Sequence, residues 1–420
     1  MARDVDPLRT QVARQVAHWR AAAGALRDSD AFASEAAWRT LERYIDAPLR
    51  RHFAEAAEQL ARRSDVLAAE LRAATTTREV ETVRRHVIAF RRRYLQVETV
   101  LSLYGEAINS RTTPKLAALL RACDALAQRS LEESLVPLGR PVPPALTYVD
   151  KGLGASILRA GLRLWDGGSL SPAALIKITR QNLYRPTALI HETGHQVAHI
   201  LDWNNELASV IDRGLRPHSA EAADAWSAWT SEVAADMYAF VLTGYGSVAS
   251  LHDVVSGGPT VFRHLPGDPH PIAYLRVLVM VETCVRFYGA GAWDDLREAW
   301  IHAYPLADAQ PETRALIRGS LPLLPQIVEL CLLTPMRAFG GRPLSRLIDP
   351  ARVRPDALAR LAREAGPALT TSPAWLQREC LRLLALSSYR AATDAEHAVE
   401  IAQEFETWML RLGRPLAAAA

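Results

Sequence analysis

Apolar residues in the first third of the chain recur at intervals of three and four. Val83, Val87, Phe90, Tyr94, Val97, Leu101 and Tyr104 form an unbroken 4-3-4-3-4-3 series. That spacing is a heptad seam, and it predicts a long helix packed along its length against another helix. A shorter helix after Glu35 places Trp38, Leu41 and Ile45 on one face, and Pro48 interrupts it. Arg91, Arg92 and Arg93 fall mostly off the seam, so they read as a solvated face rather than a nucleic-acid patch. Residues 1–138 therefore read as a helical N-terminal domain with almost no strand signal.

The pattern changes at Pro141, Pro143 and Pro144, which mark a linker. Beyond it, ALTYVDKG and ALIKITR alternate with a period of two, with Gly and Asp166-Gly167 between them, and predict a small sheet. Pro186 then opens a helix through TALIHETGHQVAHIL, because proline is tolerated in a first turn. Ser219 can cap a further helix running to Gly244, and a third runs from Pro271 to the Tyr288–Gly291 stretch. From about residue 341 the chain is again helical, with breaks at Pro350, Pro367 and Pro373. The expected architecture is mainly α with a small β-sheet (α+β), divided as 1–138, 139–340 and 341–420.

Composition narrows the setting. The chain has 420 residues, enough for two or three domains. Its formal net charge of +3 gives no strong field for nucleic acid or an acidic membrane, so neither is expected as a partner. No run reaches the roughly 18 uncharged apolar residues of a membrane span. The opening MARDVDPLRT carries charges and a proline where a signal peptide has its apolar region. Cys123, Cys284, Cys331 and Cys380 are far apart and form no CxxC pair, as suits reduced thiols. A cytoplasmic location is the expectation.

The chemistry concentrates in His191-Glu192-Thr193-Gly194-His195. Positions i and i+4 stand one above the other on a helix face, so the two imidazoles can bind one zinc ion. Glu192, beside the first histidine, can reach a metal-bound water and take its proton. Gly194 is read as leaving room beside the metal. A catalytic zinc needs a third protein ligand. His199 continues the stripe but lies about 6 Å farther along the axis, so it is read as a packing residue or a support for the ligands. Asp202 is seven positions past His195. Glu232 and Asp236, in TSEVAADMYAF, are the better candidates, again i and i+4. They border a face carrying Trp226, Trp229, Val233, Met237 and Phe240. One carboxylate can ligate the metal while the other accepts the N–H of a ligating histidine.

HETGH followed by SEVAAD resembles the gluzincin type of metallopeptidase, in which HExxH is completed by a glutamate from a following helix in an ExxxD setting. The resemblance covers about residues 145 to 290. It implies a zincin-like catalytic domain, with His191, His195 and Glu232 as zinc ligands, Glu192 as general base and then acid, and Asp236 orienting His191. The metzincin pattern and a GxMEN signature are absent. Some gluzincins carry a His-Pro followed by an arginine on the helix after the glutamate ligand, and GDPHPIAYLRV is similar. On that pattern His270 faces the active site, and Arg276 points into it, stabilising an oxyanion, or braces it. Tyr184 and Tyr238 are further candidates for the donor.

The function expected is that of a zinc-dependent metallopeptidase, hydrolysing peptide bonds of a protein or peptide substrate through a zinc-bound water activated by Glu192. Two alternatives stand beside it: a zinc hydrolase of a non-peptide amide, and a helical scaffold with a structural zinc site. Against the first, Cys123 lies outside the motif that supplies a deformylase with its cysteine ligand. Against the second, a structural site needs no general base.

Overall fold

The computed structural model of the chain describes residues 7–45, 49–152, 155–160, 171 and 173–414. Pro48 and the Asp166-Gly167 pair, read above as breaks, lie outside the described residues, as does the side chain of Ile45. The fold is mainly helical with one three-stranded sheet. Its contacts divide it into two compact units, residues 1–112 with 160–175, and residues 113–159 with 176–420. The helix Pro114–Leu135 and the C-terminal helices thus belong to the second unit.

The first unit is built on three long helices, Pro7–Ala25, Leu49–Ala73 and Thr77–Asn109, each packed on the other two. The third starts sharply. Thr76 accepts from the Glu79 amide while Glu79 accepts from the Thr76 amide, so two amides without helical partners are satisfied reciprocally. All seven seam residues from Val83 to Tyr104 are buried, and Arg91 and Arg92 are exposed.

The second unit holds the sheet, apart from the first two residues of its central strand. Strand β1 (Ala145–Val149), β2 (Ser156–Leu158) and β3 (Ala174–Ile178) are ordered β1-β3-β2, so β2 is an edge. β1 is fastened to the helix Pro114–Leu135 by the buried Asp124, which accepts from the Thr147 amide and hydroxyl, both at 2.7 Å. β2 packs on the helix Thr187–Leu201, the histidine helix.

That helix begins after Pro186 and ends at Asp202, the only non-glycine residue of positive φ among the described residues. It crosses the helix Thr230–Thr243, the carboxylate helix, very closely. A Cβ on Gly194 would stand 2.9 Å from the Ala235 Cα and 3.1 Å from the Tyr238 Cβ. Gly194 therefore admits the neighbouring backbone; the room it leaves is for a helix, not for a metal.

The single helix expected from Ser219 to Gly244 is two. Ser219 caps Ala220–Ala228, and a turn at Trp229 separates it from the carboxylate helix. The Thr230 hydroxyl donates to the Ser227 carbonyl at that turn. The indoles of Trp226 and Trp229 meet edge to face at 5.5 Å there, inside the core. The helix Ala273–Tyr288 packs against the carboxylate helix and completes the site.

Among the described residues one run, Pro311–Leu332, is long and apolar enough by length and composition to cross a membrane. Its backbone is broken by a 3-10 turn at Leu321–Leu323 into two short helices. All four cysteines are buried.

Candidate metal centre

The carboxylate helix is buried all round, with only Ser231 partly accessible. Two carboxylates there are costly unless cations meet them. Both are met. Asp236 Oδ1 lies 2.8 Å from His191 Nδ1. Glu232 lies between the histidines, with Oε2 3.4 Å from His191 Nε2 and Oε1 3.3 Å from His195 Nε2. Arg276, on the helix Ala273–Tyr288, closes the arrangement. Its Nε donates to Asp236 Oδ2 at 2.6 Å, and its Nη2 to Asp236 Oδ1 at 2.9 Å and Glu232 Oε2 at 3.1 Å.

The charges follow this geometry. Burial disfavours a charged His191, but the hydrogen bond and charge of Asp236, with Glu232 adding to them, outweigh it and raise its pKa to about 10. Burial pushes Glu232 up, and the two histidines with Arg276 pull it far below the usual carboxylate range. Asp236 is likewise depressed, Arg276 and His191 overcoming its burial. The centre is built to hold positive charge between these side chains.

The donor set could hold a metal ion. One ligand atom each from His191, His195 and Glu232 lie within 4.8 Å of one another. Ligands of a tetrahedral zinc, at about 2.0–2.2 Å from it, stand about 3.3–3.5 Å apart; here each histidine Nε2 stands at such a distance from a different oxygen of Glu232, 3.4 Å from Oε2 for His191 and 3.3 Å from Oε1 for His195. Both His191 Nε2 and His195 Nε2 face Glu232, while the other ring nitrogens are turned to supports. His191 Nδ1 meets Asp236, and His195 Nδ1 lies 3.4 Å from the Ser231 hydroxyl. Such supports fix the ring orientation of a ligating histidine.

These residues line a cleft of about 1060 Å³ that opens beside the edge strand. Glu192 lies in its wall, 7% exposed. Burial, the largest effect, raises its pKa against the pull of His191 and His195. His270 stands at the rim, its side chain 56% exposed and its Nε2 3.7 Å from Glu232 Oε2. Its Nδ1 is 2.7 Å from Asp268 Oδ1, which also accepts the His270 amide. Arg276 borders the cleft, but its hydrogen bonds go to Asp236 and Glu232. Of the two roles expected for it, the brace is the one the geometry carries.

Other candidates lie elsewhere. His199 is exposed and does not line the cleft. Asp202 is an exposed helix end that accepts from Asn205. Tyr184 is exposed outside the cleft wall. Tyr238 is fully buried, hydrogen-bonded to Ser130 and Ser134, and does not line the cleft. Ser231 and Asp268 carry no sequence signal of their own. A hydroxyl next to a ligand and an Asp two places before a histidine are patterns too short to stand out from chance.

Compared with protein-family models, curated protein sequences and solved structures, the chain gives no significant match.

Proposed function

We propose that the chain is a zinc-dependent metallopeptidase of the gluzincin type. The observation that carries this reading is the meeting of His191, His195 and Glu232 in the wall of an open cleft, with Glu192 in the same wall. A purely structural metal site needs neither the cleft nor the extra carboxylate.

His191, His195 and Glu232 would hold the zinc. Bound there, zinc supplies a Lewis acid that makes water acidic near neutral pH and polarises a carbonyl. Glu192 takes the proton of the attacking water and returns it to the leaving amine. Its raised pKa suits this double duty, since a group that must both accept and donate works best near the operating pH. His270, its ring held by Asp268 at Nδ1, faces the cleft at its rim. Arg276 and Asp236 position the ligands. Strand β2, an edge of the sheet among the described residues, borders the cleft through Ser156 and Ile157 and would suit an extended peptide backbone.

The test is zinc content together with turnover of a mixed peptide library, with and without chelator. The reading requires about one zinc per chain and chelator-sensitive new termini. Bound zinc without any peptide cleavage favours a non-peptide amide substrate or a structural site. No uptake of transition metal removes the reading entirely.

A further inference from the structure

Toward the start of the histidine helix the cleft changes character. It is walled there by Ala188 and by the last turns of the helix Tyr245–Val255, which present Leu251, Val254 and Val255. Those three stand at i, i+3 and i+4, so they share one helix face. Leu251 and Val255 are half-buried and seated against the core, and Val254 is 52% exposed. Ala239 and Met280, both buried, close the base. One exposed valine is ordinary. An apolar wall inside a cleft that also carries a set of convergent polar groups marks a binding surface.

The polar groups around this wall already have partners. The Ser247 and Ser250 hydroxyls donate to the carbonyls of Gly244 and Gly246, at 2.8 and 2.9 Å. Asp253 is paired with Arg185 and His252, and Arg276 with Asp236 and Glu232. A charged substrate side chain would find no free counter-charge here and would give up its water. Arg159, a cleft cation with no ion pair among the described residues, lies near His199, toward the other end of the histidine helix.

We propose that this end of the cleft is a specificity pocket, taking an apolar side chain such as that of leucine from a residue flanking the bond cut. The proposal names a substrate class for the peptidase reading and rests on it. Ala188 precedes His191 by three positions, about 4.5 Å along the helix axis. Ala239 follows Asp236 by three positions and Met280 follows Arg276 by four. Three helices thus border the pocket one turn away from the residues that form the centre. An extended chain advances about 3.3 Å per residue. A side chain flanking a bond held at His191, His195 and Glu232 therefore falls between Ala188 and Leu251.

The test uses the full chain and two readouts. The first is kcat/KM of the zinc-loaded protein on matched peptides with Leu, Ala, Lys or Glu at a position flanking the cut. Leu should exceed Ala by about 10-fold or more, the worth of added apolar carbons in a pocket, and should exceed Lys and Glu. Val254→Asp, at an exposed position, should lower turnover of the Leu peptide and raise that of the Lys peptide. Leu251→Ala should narrow the gap between Leu and Ala. Val399→Asp, exposed outside the cleft, should change neither. The second readout is saturation-transfer NMR on chelator-treated protein, which needs no turnover. The probes are N-acetylleucinamide, N-acetylalaninamide and N-acetyllysinamide. Saturation of the leucine methyls, lost in Val254→Asp, supports the pocket even if no peptide is cut; in that case the peptidase reading alone falls. Cleavage with no apolar preference on either side of the bond overturns the pocket and leaves the peptidase intact. So does an apolar preference that neither Val254→Asp nor Leu251→Ala moves. Neither binding nor cleavage overturns both. If Leu251→Ala melts early, Val254→Asp, with an unchanged melting temperature, carries the test.

Discussion

Arg276 grips Asp236 through two hydrogen bonds, Nε to Oδ2 at 2.6 Å and Nη2 to Oδ1 at 2.9 Å, and Asp236 in turn meets His191 at 2.8 Å. The arginine thus bears on the proposed metal centre through a relay of buried groups. Removing it leaves two buried carboxylates short of a cation. Arg276→Ala should lower stability by about 3–5 kcal/mol, the usual cost of breaking a buried pair. It should also weaken zinc retention by about 10- to 100-fold. Thermal melts and competitive zinc titration read the two effects. Intact zinc affinity with a slower reaction would restore the arginine to direct oxyanion stabilisation.

The third ligand is tested by comparison. Glu232→Gln should lose most of the zinc, because Glu232 is the side chain within reach of both Nε2 atoms. His199→Ala and Asp202→Asn should retain it, since both residues are exposed outside the cleft. Metal analysis after dialysis decides the matter.

Gly194 makes a packing claim. Its added Cβ would meet Ala235 main chain, which cannot swing aside as a side chain tip can. Gly194→Ala should cost about 1–3 kcal/mol, as overpacking does. It should also loosen the register of His195 against Glu232, so zinc retention falls with stability. Wild-type stability in that variant would show that the two helices separate freely.

Much of this was legible in the sequence, for physical reasons. The heptad seam and the histidine pair are periodic signals, and periodicity survives without knowledge of the fold. The sheet was legible only as two strands. β2, at Ser156–Leu158, is three residues long, too short to show alternation. The carboxylate helix looked two-faced and is in fact buried all round, because its second side is covered by Ala273–Tyr288 and by other elements distant in sequence. Gly194 was visible, but what it faces depends on a helix that begins 36 positions later, at Thr230. The Asp124 anchor of β1 spans 23 residues and carries no local signature. Long-range partners of single polar residues are what a sequence hides.

Away from the centre, Glu79 gives a pH prediction for the helix Thr77–Asn109. Its carboxylate accepts from the amides of Thr75 and Thr76, which lower its pKa from 4.5 to about 2. A depressed folded-state pKa contributes stability that is complete above the unfolded value. That contribution is therefore lost as pH falls from about 4.5 to about 2. Hydrogen exchange should show the first turn of this helix opening in that window. Glu79→Gln should remove the dependence, and an unchanged acid profile would argue against the capping box.

The last prediction separates metal binding from chemistry. Glu192 neighbours the proposed ligand His191 in sequence, but it is absent from the group of His191, His195 and Glu232 that could hold an ion. Its side chain is buried in the cleft wall, where burial raises its pKa. Glu192→Gln keeps the size and removes the base. Zinc content and melting temperature should stay close to wild type, since no ligand is lost. Hydrolysis should fall beyond the about 10²–10⁴-fold of a lone general base, because the same group also serves as the acid. With no substrate in hand, the practical assay compares new N-termini across a proteome digested by wild type and by Glu192→Gln. Termini made by wild type and missing from the variant, with zinc equal in both, assign proton transfer to Glu192. Equal cleavage by the two would remove Glu192 from the chemistry. Loss of zinc from the variant would instead make it a ligand.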